Sequence, residues 1–587
     1  MQEARNILAA YGNHPSFVMF SLGNELHGDV SLMRKWTDEL RSADSRHLYC
    51  FGSNNNLGWE GPQEGEDFFV GCRVGWGEGY SSHVRTTFAL VDAEDCGILN
   101  GTRPGTSGDY SRAISSSRVP VISHENCQFQ IYPDYSEIGK YTGVLYPYNL
   151  EIFRDRLYSA GMGGMEKDFS RASGKFAVEC FKADLEYALR TPGFGGFQML
   201  DLQDYPGQGT ALVGVLDAFM DSKGIVTPGE FRSFCSPLVL LAGFEDYCLS
   251  RRDSLKIRLM VANYTEEDWR TPLMWRISVS DARSLSSGEL EGKMQMSGVI
   301  MADIPQGEVA DAGWIYAAAE EFAADLPEDA AFCLDLDLFS GDYANTWKLY
   351  VYPDDIRDKM PDNIQDGMRG GIREGMTVHV ATKADSTLSA MLESGCRVVL
   401  FPDHKDIEAR SVGGLFITDF WNWSMFKTIS ENAGKSVSPG TLGVINDPSH
   451  PLFGLFPNEG RSSWQWWSIC RASRPLIVDE LQGYDPVVEV IDNIERCHRL
   501  AMVSEFAVGK GSLLVCTADP EALSRTPEGR AFLASLMHYA ASEDFSPAYS
   551  LSWDALLDIL YGSAETRDIR GVDNQTDYKE FSENSRD

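Results

Sequence analysis

The chain has 587 residues, 43% of them hydrophobic, which is apolar material for three or four domains, each with its own core. Its formal charge of −35 at pH 7 argues against a nucleic-acid partner or an anionic membrane surface and favours neutral or weakly charged ligands. No apolar run reaches a membrane-spanning length, no basic-plus-apolar start marks a secretory signal, and the 12 scattered cysteines contain no CxxC pair, so buried reduced thiols are expected rather than a zinc site or a disulfide framework.

In chain order, Ala4, Ile7, Leu8 and Tyr11 fall at helical spacing and Gly12 sits where a C-cap would. His14-Pro15-Ser16 stops that helix, and the apolar run Phe17 to Leu22 predicts a parallel strand buried on both faces, turned by Gly23 and followed by Asn24-Glu25. Leu32, Met33, Trp36 and Leu40 mark the next helix, and residues 47–55 and 68–75 read as strands. The run 119–125 is a further strand and ends on Glu125. Leu150, Phe153 and Leu157, then Phe176, Cys180 and Leu185, mark two helices; residues 195–205 give another strand, and Thr227-Pro228-Gly229-Glu230 reads as a capping box. This alternation predicts a parallel sheet, open or closed.

A carboxyl group at the end of a buried strand is costly unless it does chemistry, because burial moves its pKa toward that of a working proton donor. Two glutamates at the carboxyl ends of separate parallel strands, with two strands between them, are what a retaining glycosidase on a (β/α)8 barrel requires. The stretches HPSFVMFSLGNE (14–25) and PVISHE (120–125) resemble the acid/base and nucleophile motifs of glycoside hydrolase family 2, within the clan of barrel-fold retaining glycosidases. The resemblance covers residues 1–240 and implies a partial TIM (β/α)8 barrel, strands 4 to 8. It makes Glu25 the general acid/base and Glu125 the nucleophile, with Asn24 at the sugar 2-hydroxyl. The implied reaction is hydrolysis of terminal β-glycosidic bonds in oligo- or polysaccharides with retention, without a cofactor or metal. Strands 1 to 3 and the sugar-binding domains that usually precede such barrels are not in this sequence, so it reads as the carboxyl-terminal part of a longer product. Family resemblance also suggests a periplasmic or secreted protein.

Further substrate contacts are expected from His27 and His124 beside the glutamates, and from the rings of Trp59, Trp76 and Tyr132 in segments after strands. Galactoside-acting relatives tend to present a tryptophan on the last strand; here Asp201, Gln203, Asp204 and Tyr205 stand instead, which leaves the sugar open. Glu78 reads as a solvated loop charge near Arg73 and Arg85.

Residues 241–355 change to alternating runs (256–265, 273–281, 331–339, 346–354) and predict a β-sandwich similar to the immunoglobulin-like domains that follow family 2 barrels. In residues 356–561 strands at 377–382, 396–403 and 512–520 alternate with helices at 388–392 and from about Pro527. This flavodoxin-like α/β pattern resembles class I glutamine amidotransferase modules. Cys396 begins a strand and Cys516 lies inside one, with no nucleophile elbow, so this module is expected to be catalytically silent. Its tryptophans Trp421, Trp423, Trp464, Trp466 and Trp467 are expected to pack domains together, and 562–587 is expected to be a disordered polar tail. The competing reading is a catalytically incompetent fragment serving as a carbohydrate-binding or assembly module. An open phosphate-binding enzyme is disfavoured by the lack of a P-loop or a GxGxxG after a strand.

Overall fold

The computed structural model describes residues 1–281, 293–323, 326–354, 371–373 and 376–563. Nearly all of the expected polar tail lies outside the described residues.

The amino-terminal part contains five short strands: β1 (Met19–Ser21), β2 (Leu48–Cys50), β3 (Phe69–Gly71), β4 (Val121–Asn126) and β5 (Gly196–Met199). They run parallel in chain order. β1 pairs with β2 from Met19 opposite Leu48 to Ser21 opposite Cys50. Single bridges from Ser53 to Asn24 and to Val70 carry the sheet on to β3. β3 pairs with β4, and β4 with β5, where the register slips between Ser123 and Asn126. Among the described residues the sheet does not close, and β1 and β5 are its edges.

Local chemistry sets the connecting helices. The helix Val30–Ala43 is capped by Asp29, whose carboxylate accepts the Ser31 amide at 2.8 Å. The capping box is present: Thr227 and Glu230 satisfy each other's backbone amides at the start of the helix Pro228–Phe234. Between β4 and β5 the 24-residue helix Glu166–Leu189 buries Phe176, Cys180, Phe181 and Leu185. The expectation of a first strand buried on both faces needs correction. Among the described residues β1 has no partner on its outer side, and Met19 and Ser21 are half-buried and Val18 is exposed.

The middle part is a two-sheet assembly, antiparallel except at one sheet edge, where the strand Cys248–Ser250 runs parallel to its neighbour Tyr343–Tyr352. One sheet has the order β11 (Glu308–Ala318), β8 (Ser254–Asn263), β6 (Leu238–Gly243). The other has the order β10 (Lys293–Ile300), β9 (Leu273–Asp281), β12 (Phe332–Ser340), β13 (Tyr343–Tyr352), β7 (Cys248–Ser250). Leu240, Leu259, Ile277 and Leu336 meet in the core between them. All six residues of β6 are buried, and the strand straddles the boundary drawn at 240.

The carboxyl-terminal part is built on an eight-stranded mixed sheet. Its strands are β14 (Gly371–Arg373), β15 (Met376–Ala381), β16 (Arg397–Leu400), β17 (Val444–Ile445), β18 (Leu476–Ile477), β19 (Val488–Ile491), β20 (Arg499–Val508) and β21 (Gly511–Cys516). Their order is β14-β15-β16-β21-β20-β19-β17, with β18 on β20. Among the described residues only β15, β16 and β21 run parallel to one another; the remaining pairings are antiparallel, which departs from a flavodoxin-like sheet. Cys516 is fully buried and its thiol is pushed up to about 12, so it offers no thiolate nucleophile at neutral pH.

One continuous apolar core runs through all three parts, from Phe176 and Phe181 through Leu334 and Trp347 to Phe416, Trp464 and Phe532. Trp464 stacks on Tyr247 of the middle part with ring centroids 5.0 Å apart. An ion network crosses the same junction: Arg461 holds Glu179 and Glu459, each at 2.7 Å, and Lys348 holds Glu459 at 2.6 Å.

Candidate functional site

Glu25 and Glu125 stand at the carboxyl ends of β1 and β4, both with left-handed backbones, φ 52° and 55°. A non-glycine residue is rarely held there, and such strain gathers at functional positions. The Glu25 amide donates to the Ser53 carbonyl at 2.8 Å, and its carboxylate accepts from the Asn54 side chain at 3.4 Å. The Asn54 side-chain oxygen Oδ1 in turn accepts the Cys72 amide at 3.1 Å. The loop after β2 therefore joins the Glu25 carboxylate to the end of β3.

Glu125 sits where the β4–β5 register slips, and its side chain is 23% exposed. Gln128 donates to Oε2 at 3.0 Å, the His124 Nε2 lies 3.2 Å from Oε1, and the Arg85 guanidinium lies 3.8 Å from Oε2. Burial alone would raise this carboxyl, but the contact with and charge of His124, the Arg85 charge and the Gln128 bond outweigh it and hold the pKa below the usual value. His124 is itself fixed by Gln198 of β5 at 2.9 Å.

Beneath these groups lies Asp184, wholly buried on the helix Glu166–Leu189. One oxygen accepts the Thr86 amide and hydroxyl at 3.0 and 2.7 Å, and the other accepts the Cys127 amide at 2.9 Å. It thereby ties the residue after Arg85 to the segment after Glu125. Arg85 also donates to the carbonyls of His124 and Glu125 at 3.3 and 3.2 Å.

The other expected residues divide. Asn24 and His27 are exposed beside Glu25. Trp76 is 81% exposed and stacks on Trp59 at 4.4 Å, while the opposite neighbour of Trp59 is the Arg73 guanidinium at 4.2 Å. Asp201 is half-buried, its carboxylate turned to the Leu202 amide at 2.6 Å. Asp204 is buried, its carboxylate bound to Lys223 at 2.7 Å and to the Gly214 amide at 3.0 Å. Tyr132 lies in the core against Tyr135 and Phe169. Glu78 is exposed and, among the described residues, forms no ion pair with Arg73 or Arg85; Arg73 donates instead to the carbonyls of Asp92 and Leu57 and to the Cys72 sulfur. Arg85, Gln128, Asn54, Gln198 and Asp184 were not singled out by sequence as members of this site, since no motif marks them. Among the described residues no group of three or more His, Cys, Asp or Glu is placed to hold a metal ion, and no helix is long and apolar enough to cross a membrane.

Residues 379–561 match a family model described only as a domain of unknown function, DUF8487. No curated protein matches the chain. Similar solved structures include β-glucuronidase 3 of Bacteroides uniformis (12% identity, TM-score 0.23, covering 60% of this chain and 39% of that one) and a β-glucuronidase of Parabacteroides merdae (11%, 0.24, 60% and 40%). A β-glucosidase of Listeria innocua in complex with gluconolactone is similar over 20% of this chain and 16% of its own (10%, 0.15). The chain spans less than half the length of each of these.

Proposed function

We propose that the chain carries the two catalytic carboxyl groups of a β-glycosidase that works with retention, on an arc of a (β/α)8 barrel. The observation that carries the reading is the contrast between the two strand-end glutamates. Glu125 is surrounded by His124, Arg85 and Gln128, which favour its ionised form. Glu25 meets a neutral amide, Asn54, on a half-buried surface. In this reading Glu125 attacks the anomeric carbon while Glu25 gives its proton to the departing glycosidic oxygen; Glu25 then takes a proton from the water that releases the sugar. Asn24 binds the 2-hydroxyl, and the exposed face of Trp76 takes the apolar face of a sugar ring.

The test uses aryl β-glycosides, on the chain as it stands and within any longer polypeptide that carries it. Glu125→Gln abolishes turnover. Glu25→Ala retains release of a good leaving group such as dinitrophenolate, and added azide yields a β-glycosyl azide. Full activity in Glu125→Gln removes the nucleophile assignment. The open sheet edges at β1 and β5 favour a second reading, a carbohydrate-binding or assembly module without turnover, in which Trp76 binds saccharide and neither glutamate substitution changes that binding.

A further inference from the structure

A continuous stack of rings and guanidinium groups runs past Glu125. Trp76 lies on Trp59, Trp59 on Arg73 (4.2 Å), Arg73 on Phe88 (4.5 Å), Phe88 on Arg85 (4.6 Å), and Arg85 on Phe420 (5.5 Å). Every member but the last belongs to the loops after β2 and β3. Phe420 comes from the carboxyl-terminal part, inside the region matched only as a domain of unknown function, and is buried against Ala89 and Val91.

Two more contacts reach from that domain to the same place. Lys435 donates to the Val91 carbonyl at 2.6 Å. Five residues after Glu125, the Gln130 amide donates to the Asp419 carbonyl at 3.0 Å, and its side chain donates to the Trp421 carbonyl at 3.1 Å. Segment 419–421 thus grips both structures that meet at the nucleophile, the loop bearing Arg85 and the segment leaving β4. The Arg85 guanidinium is 3.8 Å from the Glu125 carboxylate, close enough for a direct charge interaction that weakens as the two separate. A guanidinium held between two aromatic faces has little freedom to swing away.

We infer that the carboxyl-terminal α/β domain is a working part of the catalytic site, in which Phe420 and the Gln130 clasp act as positioning residues that keep Arg85 against Glu125. This inference rests on Glu125 being the nucleophile, and it gives the domain a role other than spacing or chemistry of its own. Positioning of this kind acts on the chemical step and leaves substrate affinity nearly unchanged.

The experiment compares the full chain with Phe420→Leu, which keeps apolar volume but removes the aromatic face, and with Phe420→Trp, which restores one. Phe420→Leu is expected to lower kcat on an aryl β-glycoside about ten-fold with KM within about two-fold, and Phe420→Trp to recover most of the loss. Hydrogen exchange gives a readout that needs no substrate: amides of 85–93 and 125–131 exchange faster in Phe420→Leu, while those of the middle β-part keep wild-type rates. Wild-type kcat in Phe420→Leu, or a loss carried in KM, overturns the catalytic role. If the wild type turns over no glycoside, either alone or within a longer polypeptide that carries it, the preceding functional reading falls, and exchange alone decides the link: unchanged exchange at 125–131 overturns it, and faster exchange there supports it.

Discussion

Replacing Arg85 by methionine removes a charge from beside Glu125 while keeping much of the apolar stem. At 3.8 Å and an effective dielectric constant of about 20, the pair interacts by about 4 kcal/mol. Solvent reaches the partly exposed Glu125 side chain, and His124 and Gln128 remain, so about half of that is expected as a net effect, about 2 kcal/mol. The sign follows from which form Arg85 favours. It stabilises the carboxylate, so its loss raises the Glu125 pKa, and the acid limb of kcat/KM, which requires Glu125 ionised, moves upward. Arg85→Lys retains a cation and is expected to move the limb much less. The assay is a pH profile of kcat/KM on an aryl β-glycoside, paired with the pH dependence of carbodiimide modification of Glu125 mapped by mass spectrometry, which needs no turnover. A methionine variant whose acid limb and modification midpoint coincide with wild type refutes the account of how this carboxylate is held.

Glu186, 1% exposed, meets Lys182, Arg190, Asn345 and Trp347 where the long helix packs on the middle part; Glu186→Leu is expected to cost about 3 to 5 kcal/mol in urea unfolding because it strands buried cations. Adding Lys182→Met should return part of that loss. Glu489 is buried with one oxygen unpartnered, and burial, only partly offset by Arg499, pushes its pKa to about 7 from 4.5. Between those values the folded chain holds a proton that the unfolded chain has lost, so stability falls as pH rises from about 4.5 to about 7. Glu489→Gln therefore stabilises at pH 8.5, by up to about 3 kcal/mol at 1.36 kcal/mol per pH unit, and has little effect at pH 4, as read from unfolding midpoints at both. Trp76→Ala is expected to raise KM for a β-linked oligosaccharide several-fold with an unchanged melting temperature, since its ring is mostly in solvent; calorimetry and kinetics check both.

The elements legible in the sequence are those whose signal is local. Apolar runs and Gly-Pro punctuation located β1 to β5, and strand ends located Glu25 and Glu125. The groups around Glu125 lacked such a signal because their partners lie far off along the chain: Thr86 and Asp184 are 98 residues apart, His124 and Gln198 are 74. Asp204 was expected to offer a polar contact to substrate, but the fold brings Lys223 onto its carboxylate. The first strand read as doubly buried because apolar composition records burial propensity and not which neighbour is present. In the carboxyl-terminal part the alternation of helix and strand was plain, but strand direction is set by long connections, and most pairs proved antiparallel.

The Arg461 junction joins Glu179 of the long helix, Lys348 of β13 through Glu459, and the carboxyl-terminal part on which Arg461 itself lies. Cutting the chain at either nominal boundary would separate a half-buried cation or carboxylate from its partner and expose the aromatic seam around Trp464. The three parts, separable as stretches of sequence, are therefore expected to unfold together. A denaturation profile should show one transition where a modular protein would show three, and a graft of the carboxyl-terminal domain alone onto another scaffold should aggregate.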